Sequence, residues 1–213
     1  MLKTITQLSG SSPTLIYHFK QYQDEEEMAF ELLSNITNHE CLILPFLPLS
    51  RRDKKLDTGI YEFLKILAKQ NIKRIITFDL HNPDIINHSN IELINIPAAD
   101  IFCPVMHNYG QIIITPDFGG QKRAENFAQY LKLPIVNLHK RKLGGNITYN
   151  DYLPDIDGKE CILIEDIIDS GKTINGAVKC LINSGAKKIH LYITHYLHNN
   201  LLAVENLSLY ISD

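Results

Sequence analysis

Apolar residues along this chain occur in short unbroken runs, and these runs are separated by segments of helical periodicity. The runs Cys41 to Leu44 and Cys161 to Ile164 show no polar alternation, which is typical of parallel strands covered on both faces. In Glu25 to Ile36 the apolar residues recur three or four positions apart, which predicts an amphipathic helix. Strands that alternate with helices indicate βαβ units. The predicted fold class is therefore α/β, with mainly parallel sheets flanked by helices.

The same reading along the whole chain predicts a regular alternation of strands and helices. The predicted strands are Leu15 to Phe19, Cys41 to Leu49, Arg74 to Leu80, Ile91 to Ile96, Gln111 to Pro116, Pro134 to Leu138, Cys161 to Ile164, Lys188 to Thr194 and Leu207 to Ile211. The predicted helices are Glu25 to Ile36, Gly59 to Gln70, Ala98 to Met106, Gln121 to Leu131 and Ile174 to Ser184. A polar connector is expected between Lys142 and Lys159.

Two pairs of segments indicate an internal repeat. Glu40 to Leu44 is similar to Glu160 to Ile164, and Ile72 to His81 is similar to Ala186 to His195. Such self-similarity is the signature of a duplicated structural unit. It predicts two similar α/β domains, an N-terminal domain of residues 1–96 and a C-terminal domain of residues 97–213.

Composition narrows the range of function classes. With 213 residues and a net charge of −3, the chain has room for a large core and lacks the basic surplus of a nucleic-acid binder. Its four cysteines show no metal-binding spacing, which favours reduced thiols in a cytoplasmic protein. No signal peptide and no membrane span are expected, because no apolar run approaches about 18 residues.

The residues after the apolar run Cys161 to Ile164 are the main candidates for chemistry. Two carboxylates are followed by a short turn rich in hydroxyl groups, which then enters a predicted helix. Backbone N–H groups at a helix N-terminus point the same way as the helix dipole, so this turn can hold a phosphate. An ordinary helix N-cap with an acidic first turn would also account for Asp169 and Ser170. The candidate residues are Glu165, Asp166, Asp169, Ser170, Gly171, Lys172 and Thr173.

This stretch resembles the PRPP-binding motif of phosphoribosyltransferases, and further motifs narrow the resemblance. Four segments fall in the order and spacing of the ribose-phosphate diphosphokinases, or PRPP synthetases: Leu44 to Lys54, Thr77 to Pro83, Thr115 to Ala124 and His139 to Lys142. That family consists of two tandem phosphoribosyltransferase-like domains, in agreement with the internal repeat. The resemblance runs from about Leu15 to His195 and implies a short member of the family, without the usual N-terminal segment that clamps adenine.

The resemblance implies an enzyme that transfers the diphosphoryl group of ATP to the 1-hydroxyl of ribose 5-phosphate, giving PRPP and AMP. It implies Mg²⁺ as cofactor and a homo-oligomer, with a homodimer as the expected assembly. The implied catalytic residues are Lys140, Arg141 and His81, and the resemblance places Lys140, Arg141 and Lys142 on a mobile catalytic loop. The implied ribose 5-phosphate residues are Glu165, Asp166, Asp169, Ser170, Gly171, Lys172 and Thr173. The implied ATP-binding residues are Arg51, Arg52, Asp53, Asp79, His81 and Lys142, and the implied metal ligands are His81 and Asp117.

Three positions depart from the family's pattern. Glu165 stands where the family usually has Asp, Lys172 where it has Gly, and Lys142 where it has Arg. Lysine does not reproduce the bidentate geometry of arginine, so the last change affects how phosphate is held. Two other interpretations stay open on the sequence alone. One is a phosphoribosyltransferase that uses PRPP, and the other is a non-catalytic regulatory homologue of a PRPP synthetase.

Overall fold

The structure is a computed structural model that describes residues 10–19, 24–52, 58–104, 106, 110–143, 146–149, 153–197 and 207–211. It divides into two compact units, Met1–Ala98 and Ala99–Asp213. Both units are built from parallel strands with helices between them, which confirms the predicted fold class. Within the described ranges, no helix combines the length and the apolar character needed to cross a membrane.

The first unit is built on a four-stranded sheet in the order β1-β2-β3-β4, in which every neighbouring pair is parallel. All four residues of β2 are buried, as its unbroken apolar sequence predicts. The strands are β1 (Thr14–Ile16), β2 (Cys41–Leu44), β3 (Arg74–Phe78) and β4 (Glu92–Ile96), and the helices are α1 (Glu25–Asn35) and α2 (Gly59–Lys69).

Strand β2 is shorter than the predicted run to Leu49. It ends at Leu44 because the next residue, Pro45, has no backbone N–H to donate to a sheet. Helix α1 begins where the side chain of Asp24 accepts a hydrogen bond from the Glu26 N–H at 2.8 Å. This N-cap satisfies one of the N–H groups that a helix start leaves without an intrahelical partner.

The second unit has a five-stranded sheet in the order β11-β10-β9-β5-β6, again with parallel pairing throughout. A separate antiparallel hairpin, β7-β8, lies outside this sheet. The strands are β5 (Ile112–Thr115), β6 (Ile135–Asn137), β7 (Lys140–Leu143), β8 (Asn146–Tyr149), β9 (Glu160–Ile168), β10 (Lys188–Tyr196) and β11 (Leu207–Ile211). The helices are α3 (Ala98–Phe102), which begins at the junction of the units, α4 (Gln121–Leu131) and α5 (Lys172–Asn183).

Three sequence predictions in this unit were wrong. Helix α3 stops at Phe102 rather than Met106, because Pro104 disfavours the helical conformation of the residue before it. Strand β9 continues to Ile168 rather than ending at Ile164, since its pairing with β10 extends that far. The predicted polar connector after Lys142 contains the end of β7 and all of β8, which pair as an antiparallel hairpin.

The two units repeat a local feature at the end of α2 and of α5. Asn71 follows α2 with a φ of 69°, and Gly185 follows α5 with a φ of 84°. In each turn the next residue donates its N–H to a carbonyl five positions earlier, at 3.1 Å in the first unit and 3.0 Å in the second. This left-handed turn closes the helix by satisfying its last carbonyls. The shared geometry supports the internal repeat seen in the sequence.

Candidate active site

A tight loop after β5 fixes the position of the Asp117 carboxylate. The Thr115 hydroxyl donates to the Asp117 carbonyl at 2.9 Å, and Asp117 Oδ1 accepts from the Gly119 N–H at 3.0 Å. A Cβ atom at Gly120 would lie 2.3 Å from Thr115 Oγ1, so only glycine fits there. The loop therefore holds one carboxylate oxygen with its own backbone and presents the other, Oδ2, away from it.

Lys140 connects this carboxylate to the loop that precedes α5. It is the first residue of β7, and its Nζ lies 3.4 Å from Asp117 Oδ2 and donates to Thr173 Oγ1 at 3.0 Å. The Lys140 side chain is 21% exposed. The Tyr149 hydroxyl at the end of β8 donates to the Thr173 carbonyl at 3.3 Å. Both strands of the hairpin thus contact the start of α5.

The predicted phosphate loop is a turn at the N-terminus of α5. Gly171 is buried and has a φ of 72°, a left-handed conformation that glycine adopts without a Cβ clash. The first helical hydrogen bond runs from the Asn175 N–H to the Gly171 carbonyl at 2.8 Å. The N–H groups of the first helical turn have no intrahelical acceptor and lie at the positive end of the helix dipole. Asp169, Ser170 and Lys172 are exposed at this turn.

The two carboxylates at the end of β9 differ in their surroundings. Asp166 is 2% exposed, and its Oδ2 lies 3.2 Å from the Arg123 guanidinium in the first turn of α4. Burial raises the pKa of Glu165 well above its ordinary value, and the neighbouring Asp166 charge raises it further. Glu165 Oε2 is buried without a hydrogen-bond partner among the described residues. The pair therefore consists of an acid whose raised pKa favours its protonated form and a carboxylate that faces an arginine.

The predicted site residues divide between the two units, and those of the first unit include the basic loop after β2. Arg51 Nε lies 2.5 Å from Glu25 Oε1, and Arg52 forms an ion pair with Glu26. Both glutamates belong to the first turn of α1, so this helix holds the two arginines. Asp53 lies outside the described residues.

Asp79 and His81 follow the carboxyl end of β3 in the first unit. Asp79 is buried with a left-handed φ of 46°, and its N–H donates to the Ile96 carbonyl at 2.9 Å. His81 is exposed. Among the described residues, no three His, Cys, Asp or Glu side chains lie close enough together to bind a metal by themselves. A metal at His81 or Asp117 would thus complete its shell with water or with substrate oxygens.

Arg141 and Lys142 continue β7 after Lys140. The resemblance placed these three residues on a loop, whereas the structure has them in a strand that pairs with β8, with Lys140 opposite Tyr149. The structure describes the backbone of Arg141 and Lys142, and their side chains lie outside the described part. The site assembled in the second unit therefore contains Lys140, Asp117, Thr173, Glu165 and Asp166.

Comparison with known proteins shows which families this chain is similar to. A family model described as a phosphoribosyl transferase domain matches residues 104–207. Ribose-phosphate pyrophosphokinase 1 of Lactococcus lactis subsp. lactis is 33% identical over 165 residues, which cover 72% of this chain and 51% of that protein. The ribose-phosphate pyrophosphokinase of Oceanobacillus iheyensis is 32% identical over 166 residues, with 72% and 51% coverage.

The chain is a homologue of the ribose-phosphate pyrophosphokinases. It spans about half the length of the curated relatives it matches. A crystal structure of phosphoribosylpyrophosphate synthetase from Mycobacterium smegmatis has the same fold, with a TM-score of 0.70 and 23% sequence identity. The similarity covers 93% of this chain and 76% of that one.

Two residues of this pyrophosphokinase homologue were missed by sequence reasoning, Arg123 and Tyr149. A basic residue in the first turn of a helix opposes the helix dipole, so the position of Arg123 was a signal that it has a specific partner. Tyr149 gave no such signal, because its contact with Thr173 depends on the hairpin and spans 24 residues of sequence.

Proposed function

We propose that this pyrophosphokinase homologue transfers the diphosphoryl group of ATP to the 1-hydroxyl of ribose 5-phosphate, giving PRPP and AMP. The observation that carries the proposal is the position of Lys140 between the Asp117 carboxylate and the Thr173 hydroxyl. This contact sets a cation beside a helix start that is suited to an anion and beside a carboxylate suited to a metal. Phosphoryl transfer needs such alignment and charge neutralisation more than it needs covalent help from the protein.

The sugar phosphate is proposed to bind at the start of α5. Its 5-phosphate would accept hydrogen bonds from backbone N–H groups and from the Ser170 and Thr173 hydroxyls. The carboxyl groups of Glu165 and Asp169 would bind the ribose hydroxyls. The raised pKa of Glu165 favours the protonated carboxyl, which can donate as well as accept a hydrogen bond. Asp166 faces Arg123 and would act by fixing the strand end.

The reaction itself is a displacement at the β-phosphorus of ATP. The 1-hydroxyl oxygen forms a new bond to this phosphorus and loses its proton, and the bond to the bridging oxygen of AMP breaks with its electron pair on AMP. Lys140 is proposed to neutralise charge that develops on the transferred group, and Arg141 to assist it. A donor aimed at developing charge commonly contributes about 3 kcal/mol to lowering the barrier.

Mg²⁺ is part of the proposal, and Asp117 fits it. Its side chain is 37% exposed, and its Oδ2 lies 3.4 Å from Lys140 Nζ. Mg²⁺ typically takes one or two protein carboxylates and completes its shell with phosphate oxygens and water. When bound, the ion supplies positive charge to the phosphates. In the first unit Arg51, Arg52, Asp53, Asp79 and His81 remain the proposed ATP-binding residues, with His81 as the second proposed metal ligand and Lys142 as a further phosphate contact.

A cytoplasmic location is part of the same proposal. All four cysteines are buried and free of disulfides, as expected in a reducing compartment such as the cytoplasm. A homodimer stays a prediction of the sequence, and sedimentation velocity would measure it.

The test of the proposed function is to incubate the purified chain with ATP, Mg²⁺ and ribose 5-phosphate and to separate the nucleotides. Equal amounts of AMP and PRPP are expected, and their formation should require all three components. If PRPP and a nucleobase instead release diphosphate while ATP stays intact, the chain is a phosphoribosyltransferase and the proposal is wrong. If neither reaction occurs, the non-catalytic interpretation replaces it.

A further inference from the structure

The hairpin β7-β8 carries Lys140 on a support that is weak by itself. It is a two-stranded ribbon, separate from the five-stranded sheet of its unit. A hairpin of two strands alone is at best marginally stable in water. A lysine side chain is also long and flexible, so its ammonium group needs fixed surroundings to act at one place. The position of the Lys140 ammonium group therefore depends on what holds the hairpin against α5.

Tyr149 is the residue of β8 that lies directly opposite Lys140 in the hairpin. Residues opposite each other in an antiparallel pair project from the same face and lie about 5 Å apart. Both side chains reach Thr173, the second residue of α5. Lys140 Nζ donates to its hydroxyl at 3.0 Å, and the Tyr149 hydroxyl donates to its carbonyl at 3.3 Å. One cross-strand pair thus contacts the start of α5 through two separate groups.

The ring of Tyr149 adds an apolar contact to this hydrogen bond. It packs against the buried core cluster of the second unit, to which α5 contributes Ile174 and Val178. Burial raises the pKa of Tyr149, and the neighbouring carboxyl groups of Glu165 and Asp117 raise it further. The hydroxyl therefore stays protonated and remains a hydrogen-bond donor at neutral pH. Tyr149 is thus suited to hold the hairpin and unsuited to accept a proton from a substrate.

We infer that Tyr149 is a positioning residue, which holds the hairpin on α5 and thereby fixes the ammonium group of Lys140 at Thr173. The inference rests on the proposed function for the reaction that Lys140 serves, but the hairpin contact itself can be measured without substrates. A displaced ammonium group would neutralise developing charge less well, because phosphoryl transfer depends on alignment. Tyr149 therefore acts on the reaction through Lys140.

Hydrogen exchange tests the contact in the free protein. Tyr149→Phe removes the hydroxyl and retains the ring, so the hairpin should separate from α5 about fivefold more often, which is the effect of one hydrogen bond. The backbone amides of β7 and β8 should exchange faster by that factor, as measured by mass spectrometry. Equal exchange in Tyr149→Phe and wild type would overturn the inference.

Tyr130→Phe is the matched control for this experiment. It also removes a tyrosine hydroxyl that donates to one acceptor, Asp100 Oδ1 at 2.8 Å, but this bond joins α4 to α3 on the surface. Exchange in β7 and β8 should be unchanged in this variant, and so should turnover. Equal acceleration of the hairpin amides by Tyr130→Phe and Tyr149→Phe would contradict a specific role of Tyr149.

Turnover tests whether Tyr149 acts through Lys140. Tyr149→Ala removes both the ring and the hydroxyl and should lower kcat by about tenfold or more, with the KM for ribose 5-phosphate unchanged. In the Lys140→Ala background the same substitution should cause no further loss, because no ammonium group is left to position. A loss of the same factor in both backgrounds contradicts the inference, since it would reflect either a general loss of folded protein or a contact independent of Lys140.

These outcomes separate the positioning role from the proposed function. If hairpin exchange depends on Tyr149 as expected but no AMP and PRPP form, the positioning of Lys140 stands and the diphosphokinase assignment fails. If PRPP forms and Tyr149→Ala keeps the kcat of the wild type, the assignment stands and the positioning role fails.

Discussion

The two units share an ion pair at the start of a central strand but differ in the loop at the other end of that strand. In the first unit, Lys73 Nζ lies 2.6 Å from Glu40 Oε1, and in the second, Lys187 Nζ lies 3.2 Å from Glu160 Oε1. Both glutamates come directly before or at the first residue of the strand, and both lysines precede the neighbouring parallel strand. The frame of strand, helix and turn is thus repeated.

Beyond this frame the units diverge. Strand β2 stops before a proline, and the arginines of the loop after it are held by glutamates of α1. Strand β9 runs on into the acidic pair and then into the Gly171 turn, where Lys140 and Arg123 add cations from other elements. The same repeated arrangement of strand, helix and turn therefore supports both the basic loop after β2 and the Gly171 turn after β9. The chemistry depends on the segments at the carboxyl ends of the strands, as expected for parallel α/β sheets.

The largest expected effect is on the buried ion pair of the second unit. Arg123→Met should lower the free energy of unfolding by about 3–5 kcal/mol, because it removes the cation that faces the buried Asp166 carboxylate. The Arg123 and Asp166 side chains are 10% and 3% exposed, whereas those of Arg52 and Glu26 in the first unit are 39% and 64% exposed. Arg52→Met should therefore cost only about 0–1 kcal/mol. Urea unfolding measures both, and equal losses would contradict the comparison.

The next effect concerns turnover rather than stability. Lys140→Ala should reduce kcat by about 100- to 1000-fold, since it removes a donor aimed at the developing charge. Binding of ribose 5-phosphate, measured by calorimetry, should be retained. Lys179 is an exposed lysine on α5, and Lys179→Ala is the matched control with unchanged turnover. Unchanged turnover in Lys140→Ala would remove this residue from the mechanism.

A smaller effect is expected in the pH dependence of stability. Because the folded-state pKa of Glu165 is raised, the folded protein binds more protons there than the unfolded chain does between the two pKa values. The free energy of unfolding should therefore fall as the pH rises through this window, and Glu165→Gln should remove that slope. Urea unfolding at a series of pH values above the ordinary carboxyl pKa measures this slope. An identical slope in wild type and variant would show that Glu165 is ionised.

The smallest effect is expected at the ion pairs that both units share, Glu40–Lys73 and Glu160–Lys187. The pKa of Glu40 is lowered by its hydrogen bond with Lys73, and that of Glu160 by hydrogen bonds with His190 and Lys187. A lowered carboxyl pKa stabilises the fold above the unfolded pKa, and this contribution is lost as the pH falls through the folded pKa. Glu40→Gln and Glu160→Gln should each shift the urea midpoint slightly at neutral pH and not at all in acid. A large shift in only one variant would show that the frames are not equivalent.

Sequence reasoning could predict those features of the fold and site that depend on local pattern. The buried strand Cys41–Leu44 and the turn from Asp169 to Thr173 are examples, because their residue types specify them directly. The Arg123–Asp166 contact depends on where the start of α4 lies relative to the end of β9, and residues so far apart in sequence carry no local signal of it. Strand β7 was missed for a related reason. A hairpin gains its stability from cross-strand pairing and not from the propensity of Lys140 to Lys142, which favours a loop.

The second unit is proposed to present the 1-hydroxyl of ribose 5-phosphate to the β-phosphorus of ATP. Ribose 5-phosphate labelled with ¹⁸O at the 1-hydroxyl tests this most directly, because phosphorus NMR detects ¹⁸O bonded to phosphorus as an upfield shift. We predict PRPP in which the oxygen between ribose C1 and the phosphorus keeps the label, together with unlabelled AMP. PRPP without the label, or label in released AMP, would show that a different bond is made and would contradict the proposed reaction.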